Sequence, residues 1–186
     1  MTATAAATTA TTAWNIDPAH SVAEFKVKHM MISNLKGSFH GLSGVLTEHS
    51  VDATLSLVEA SIPVSTVATG DAQRDEHLLK DDFFDVEKYP TLNFKSTKVI
   101  RKGEAEYDVT GDLTIRGVSR PVTFVVEGPS APGKDPWGNT RIAISAMAKI
   151  NRKDFGLVWN AALETGGFLV SDEVAITLDV QFIKAQ

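Results

Sequence analysis

Eight stretches of this 186-residue chain alternate apolar and polar residues with a period of two. No other feature limits the fold as strongly. Successive side chains of a strand point to opposite faces, so this period marks strands with one buried face. The clearest case is 104–116, where Tyr107, Val109, Leu113 and Ile115 share one parity. In 121–127 the aligned residues are Val122, Phe124 and Val126, and in 173–183 they are Val174, Ile176, Leu178, Val180 and Phe182. In 20–32, Ala23, Phe25, Val27, His29 and Met31 face one way, and Glu24, Lys26 and Lys28 face the other. The remaining strands are expected at 38–47, 52–64, 91–100 and 141–150. Turns at 34–37, 101–103 and 117–119 and a Pro/Gly loop at 128–138 punctuate the chain.

Short connections between one-sided strands describe an antiparallel up-and-down meander. Eight such strands can close into a barrel, which removes both sheet edges. Periodicity alone leaves a two-sheet sandwich open. The one departure from period two is the segment from Arg74 to Pro90. Asp71 suits an N-cap there, Asp75 and Glu76 the early turns, and Glu76 with Lys80 an i,i+4 pair. Leu79 and Phe83 share a face if the helix runs that far. The expectation is one helix inserted between strands three and four. Residues 1–13, all Met, Thr and Ala, read as a disordered tail, and residues 14–186 as a single domain.

Composition narrows the function classes. The net charge is −5 with a pI near 5.5, and there is no Lys/Arg cluster with interleaved aromatics, so nucleic-acid binding is not expected. The absence of cysteine removes disulfides, thiolate catalysis and Cys-ligated zinc. No run approaches the ~20 apolar residues of a membrane span. The first residues lack the charged start and apolar core of a secretory signal, so a cytoplasmic location is expected, with a mature secreted form as the competing reading.

Catalytic and metal signatures are equally sparse. The five histidines form no His-x-His or His-x-x-x-His pattern. His20 and His29 are nine apart, which on a strand puts them on opposite faces. Gly41-Leu42-Ser43-Gly44 has the wrong spacing for a nucleophile elbow, and there is no phosphate-binding glycine loop. The carboxylates crowding the helical segment read as a solvated face. Only His29, placed by parity among apolar neighbours, suggests a polar anchor inside a cavity.

The specific information lies in joined motifs. Trp14-Asn15-Ile16-Asp17-Pro18-Ala19-His20-Ser21 is followed by Phe25-Lys26-Val27-Lys28-His29. Later come Arg74-Asp75-Glu76-His77-Leu78, then Asp82-Phe83-Phe84-Asp85-Val86 with Tyr89-Pro90. The last two are Gly111-Asp112-Leu113-Thr114-Ile115-Arg116-Gly117-Val118 and Asn151-Arg152-Lys153-Asp154-Phe155-Gly156-Leu157. In this order the chain resembles the YceI-like family from about Trp14 to Ile183.

The resemblance implies an all-β fold, an eight-stranded antiparallel lipocalin-like barrel with one helix between strands three and four. It implies an apolar tunnel holding a polyisoprenoid such as an isoprenoid quinone, a non-enzymatic role in transport, storage or stress protection, and a homodimer. No cofactor is expected beyond the bound lipid. Strand parity then nominates lining residues: Phe25, Val27 and His29 from strand one, Phe94 from strand four, Leu113 and Ile115 from strand five, and Ile142 and Ile144 from strand seven. Phe83 and Phe84 are expected from the helix end, and Phe155, Leu157 and Trp159 from the long loop before the last strand. Core packing is the alternative for each. Arg152 with Asp154, and Arg74 with Asp75, are expected to fix local loops rather than to anchor a headgroup. The rival functions are an enzyme acting on an isoprenoid lipid inside the barrel, and a barrel filled by its own side chains that binds nothing.

Overall fold

The computed structural model describes residues 10–186. The expected tail over 1–13 lies mostly outside them, but residues 11–13 open the first strand, β1 (Thr11–Ile16). It is followed by β2 (Val22–His29), β3 (Ser33–Phe39), β4 (Ser43–His49) and β5 (Leu57–Pro63). Helix α1 (Ala72–Leu79) comes next, then β6 (Thr91–Arg101), β7 (Glu106–Ile115), β8 (Val118–Glu127), the two-residue β9 (Gly133–Lys134), β10 (Thr140–Asn151) and β11 (Val170–Lys184).

These pieces assemble into the expected eight staves. Strands β1 and β2 lie end to end along β11, with Ile16 opposite Phe182 and Val22 opposite Asp179. Strands β3 and β4 likewise lie end to end, β3 against β2 and β4 against β1. Together β1 to β4 form one long, kinked hairpin that supplies two staves. The kink between β1 and β2 is a 3-10 turn at Pro18–His20. Asp17 caps it by accepting from the Ala19 amide at 3.0 Å, and Pro18 supplies the fixed φ that suits a first helical position. The other staves, β5, β6, β7, β8, β10 and β11, pair in sequence order, and β11 closes the ring by pairing with β10 on one side and with β1 and β2 on the other. Every pairing is antiparallel and the ring of staves is unbroken, so the sandwich alternative is gone.

The second strand shifts from where periodicity puts it. Residues 20–32 read as one strand, with a turn at 34–37 and a return strand from 38, but the chain turns at Met30-Met31-Ile32 and the return, β3, begins at Ser33. Met30 and Met31 take left-handed φ of 51° and 63°. Side chains rarely adopt that region, and no Gly or Asn advertises the turn. By contrast, the β7–β8 turn at Arg116-Gly117 has positive φ at both residues and a glycine that shows it.

Helix α1 sits where the expectation puts it, between the third and fourth staves. Asp71 caps it by accepting from the Arg74 amide at 2.9 Å, and Glu76 pairs with Lys80 at 3.3 Å on an exposed face. It stops at Leu79, so Leu79 and Phe83 do not share a helical face. Phe83 and Phe84 belong to the turn that follows, in which the Phe84 amide donates to the Leu78 carbonyl. The apolar side of this insertion packs on Phe39 and Val67, at the edge of β3 away from β2, where Ser38 bridges to Ala68.

Candidate functional site: an apolar cavity along the barrel

The barrel encloses a cavity of about 730 Å³, which its own side chains leave unfilled. Every stave contributes inward residues to its wall. At the α1 end, His29, Leu35, Leu169 and Val170 meet His77 and Leu78 of the helix and Leu157 and Trp159 of the loop after β10. The middle is ringed by Phe25, Phe94, Leu113, Phe124, Ile144 and Leu178. The far end reaches Ala53, Leu57, Val99, Tyr107 and Pro129.

Two glycines let aromatic rings lie flat on the wall. Gly37 stands opposite Phe25 in the β2–β3 register, and the Phe25 ring occupies the space a side chain there would need. The Phe94 ring similarly covers Gly111 on β7. A ring packed over a cross-strand glycine restores the apolar contact that the glycine lacks. Phe94 then meets Phe124 edge-on at 5.3 Å, and Phe25 leans on Phe39 at 5.6 Å.

The α1 end is built around three rings. His77 packs edge-on against both Phe83 and Trp159, each with centroids 5.1 Å away, while Phe83 and Trp159 lie 5.2 Å apart. Nε2 of His77 lies 2.9 Å from an Asp82 carboxylate oxygen, which fixes the imidazole at the rim.

Polar groups on the wall are mostly committed to the scaffold. Arg74 donates to the Thr69 hydroxyl and carbonyl, at 2.6 and 2.9 Å. Asp75 accepts from the Thr69 amide and hydroxyl. Glu48 accepts from the Trp14 indole N–H at 2.7 Å. Arg152, only 4% exposed, donates to the carbonyls of Ser171, Leu157 and Trp159. Burial pushes its guanidinium pKa down, and the Asp172 carboxylate, 3.6 Å from Nη2, pulls it back up. The ion pair of this loop is therefore with Asp172, and Asp154 is exposed and takes no part in it.

Of the residues nominated from the sequence, Phe25, Val27, His29, Phe83, Phe84, Phe94, Leu113, Ile115, Ile144, Leu157 and Trp159 stand on the cavity wall. Ile142 and Phe155 do not. Ile142 is 3% exposed and packs with Trp14, Leu42 and Phe182, of which Leu42 and Phe182 themselves reach the cavity wall. Phe155 is 1% exposed and lies in the 3-10 turn Arg152–Phe155, which tucks its ring into the core instead of the lumen. The parity reading passed over Val174, Ile176 and Leu178 of β11 and Phe124 and Val126 of β8, although their alternation is as clear as that of the residues named. His77 carried no sequence signal for its place, since both its ring partners come from outside the helix.

No described helix is long and apolar enough to cross a membrane. The YceI-like domain matches residues 14–182. A UPF0312 protein of Pseudomonas putida (strain W619) is 38% identical over 138 residues, covering 74% of this chain and 71% of its own. A UPF0312 protein of Vibrio parahaemolyticus is 37% identical over 139 residues, covering 75% and 73%. Among solved structures, Campylobacter jejuni YCEI protein superimposes with a TM-score of 0.72 at 30% identity, covering 86% of this chain and 90% of that one. Burkholderia cenocepacia BcnA gives 0.75 at 25% identity, covering 89% and 98%. A polyisoprenoid binding domain from Saccharophagus degradans shares the fold, with a TM-score of 0.67 at 16% identity, covering 92% and 98%. A closed eight-stave barrel around an apolar lumen, with one helix at its rim and a domain match over nearly its whole length, places this chain in the YceI-like family.

Proposed function

We propose that this protein binds one long polyisoprenoid lipid, an isoprenoid quinone or a similar chain, in the barrel cavity and carries or stores it unchanged. The observation that carries this is the cavity itself: about 730 Å³, lined almost wholly by aliphatic and aromatic side chains drawn from every stave. A prenyl tail is slim and nonpolar. Burying roughly 500 Å² of it at ~25 cal/mol per Å² amounts to on the order of 12 kcal/mol before association costs, so affinity needs no polar contact. The Saccharophagus degradans neighbour, described as a polyisoprenoid binding domain, supports the same ligand class through a shared fold. Of the wall's ionisable groups, Arg74, Arg152, Glu48 and His77 are each engaged with protein partners, which supports a role without catalysis.

The test is organic extraction of the purified protein followed by mass spectrometry, with titration of a detergent-solubilised polyprenyl quinone. A co-purifying prenyl lipid, recovered unmodified after incubation, supports the reading. No lipid in the extract together with no quinone binding would sink it, and a chemically altered lipid would turn it toward an enzyme.

A further inference from the structure

The cavity's α1 end carries an apolar tip that no described residue covers. The β2–β3 hairpin turns over Met30, Met31 and Ile32, which are 43%, 56% and 83% exposed. Two of the three hold left-handed backbone without being glycine. Strain of that kind persists only where the surroundings enforce it, and it concentrates at functional loops. Here the enforcing contact is visible: the Met30 amide donates to the Leu169 carbonyl at 2.7 Å, and Gly167 lies against Met31. That bond ties the hairpin to a second apolar tip, Phe168, itself 57% exposed. His29, Leu169 and Val170, which adjoin these tips, stand on the cavity wall. The exposed patch and the lumen are therefore continuous.

The charges beside the patch say what it faces. Lys26, Lys28 and Lys36 occupy the outer face of the same hairpin, and all three are exposed. Lys26 and Lys36 stand directly opposite each other in the register. Like charges so placed repel, and among the described residues none of the three is in an ion pair. Lys153 adds a fourth cation, held over the Phe168 ring at 5.9 Å and paired with Asp172. With Glu24 the one carboxylate on the outer face of β2 and β3, this is a local excess of positive charge on a chain whose net charge is −5. Apolar side chains at a tip with lysines set behind them match a bilayer interface that carries anionic headgroups. The far end of the barrel also exposes apolar residues, Val51 and Leu55, but its turn at 50–57 carries Asp52 and no lysine.

We propose that residues 30–32 and Phe168 dock on an anionic lipid bilayer and seat the mouth of the cavity against it, so that a lipid chain passes between membrane and barrel without crossing water. The proposal rests on the lipid-binding reading above, and its test separates the two. The full chain is floated with vesicles of phosphatidylcholine alone and of phosphatidylcholine with phosphatidylglycerol, while binding of detergent-solubilised polyprenyl quinone is measured in parallel without vesicles. The expected result is flotation with the anionic vesicles that weakens as salt is raised. Ile32→Asp and Met31→Asp reduce the vesicle-bound fraction about tenfold, and the double change Lys26→Glu with Lys36→Glu removes the preference for anionic lipid. Leu55→Asp at the far end changes nothing, and Ile32→Trp strengthens vesicle binding. All variants keep the native melting profile and bind quinone as the parent does. Quinone binding without any flotation overturns the docking proposal and leaves the lipid reading standing. Flotation that depends on the tip without quinone binding does the reverse. If Ile32→Asp splits a dimer and leaves flotation untouched, a second copy of the chain covers the tip, and the proposal fails.

Discussion

The ring of Phe25 lies in the space that any side chain on Gly37 would fill. Because the nearest ring atoms are its far edge, the ring can swing away, toward the lumen it already borders. Gly37→Ala is therefore expected to push Phe25 into the cavity. The strain is that of modest overpacking, about 1–3 kcal/mol of stability, read from the urea midpoint. Quinone affinity should fall more than that stability loss alone explains, because the bore narrows at its middle. An unchanged quinone titration would show that Phe25 does not border the bound chain.

Ile144 stands on the wall at mid-barrel and packs against core clusters on both sides of the cavity. Ile144→Trp places a large ring into open volume, not into packed core. The barrel should keep its stability to within about 1.5 kcal/mol while quinone binding drops by at least tenfold. Calorimetric titration against the parent protein checks this, and parent-like affinity would mean the chain lies elsewhere.

Arg152 holds three backbone carbonyls with a buried guanidinium. Lysine cannot reproduce that fork, so Arg152→Lys and Arg152→Met should both destabilise, by about 3 kcal/mol or more, by leaving carbonyls of Leu157, Trp159 and Ser171 unpaired. Loss of the carbonyl anchors frees the loop that carries Leu157 and Trp159. Hydrogen exchange should then rise across residues 156–171 before it rises in β6 or β7. A lysine variant that melts like the parent would remove the fork argument.

Arg141 joins two separate elements, its guanidinium donating to Asp17 at 2.5 Å and to Asp135 at 2.7 Å. The hydrogen bond from Arg141 is the main cause that holds the Asp17 carboxyl below its ordinary pKa, against the opposing effect of burial. At Asp135, burial works to raise the pKa, but hydrogen bonds from Arg141, Asn139 and two backbone amides outweigh it and hold the group well below the usual range. Both folded values lie under the unfolded ones. The stability they contribute is complete above the normal carboxylate range and is lost as pH falls through it toward the folded values. Arg141→Gln should lower the urea midpoint near neutral pH, and the gap to the parent should shrink in strong acid. A gap that is constant with pH would show that the guanidinium contributes packing and not charge.

The staves were legible wherever alternation ran uninterrupted. The run Tyr107, Val109, Leu113 and Ile115 marks β7 without ambiguity, and β6, β8, β10 and β11 follow the same rule. Reading failed where backbone conformation departs from what the side chains advertise. The turn at Met30-Met31 contains no glycine, so 20–32 looked continuous and the return strand was misplaced. Strand β1 was hidden because its first residues, Thr11-Thr12-Ala13, look like the low-complexity stretch before them. Inside the cavity, parity gives the face but not the depth. Ile142 and Ile144 share a parity, yet Ile142 is buried off the wall against Trp14, Leu42 and Phe182 while Ile144 borders open space. The ring cluster of His77, Phe83 and Trp159 joins the α1 insertion to the loop after β10, and spacing along the chain carries no trace of that contact.

The closing role of β11 has a consequence for how the chain acquires its shape. Trp14 lies opposite Lys184, and β2 finds its partner in β11, the last of the barrel's strands in chain order. Until that strand emerges, β1 to β10 form an open sheet whose first and last staves both present unpaired edges and a bare apolar face. Loop closure over nearly the full length of the chain must precede the final pairing, which makes folding slow and leaves the nascent sheet exposed to self-association. The lumen exists only once that last strand is in place. A lipid present during synthesis would therefore meet an open trough before it met a closed bore, and filling it then would need no opening of the finished barrel.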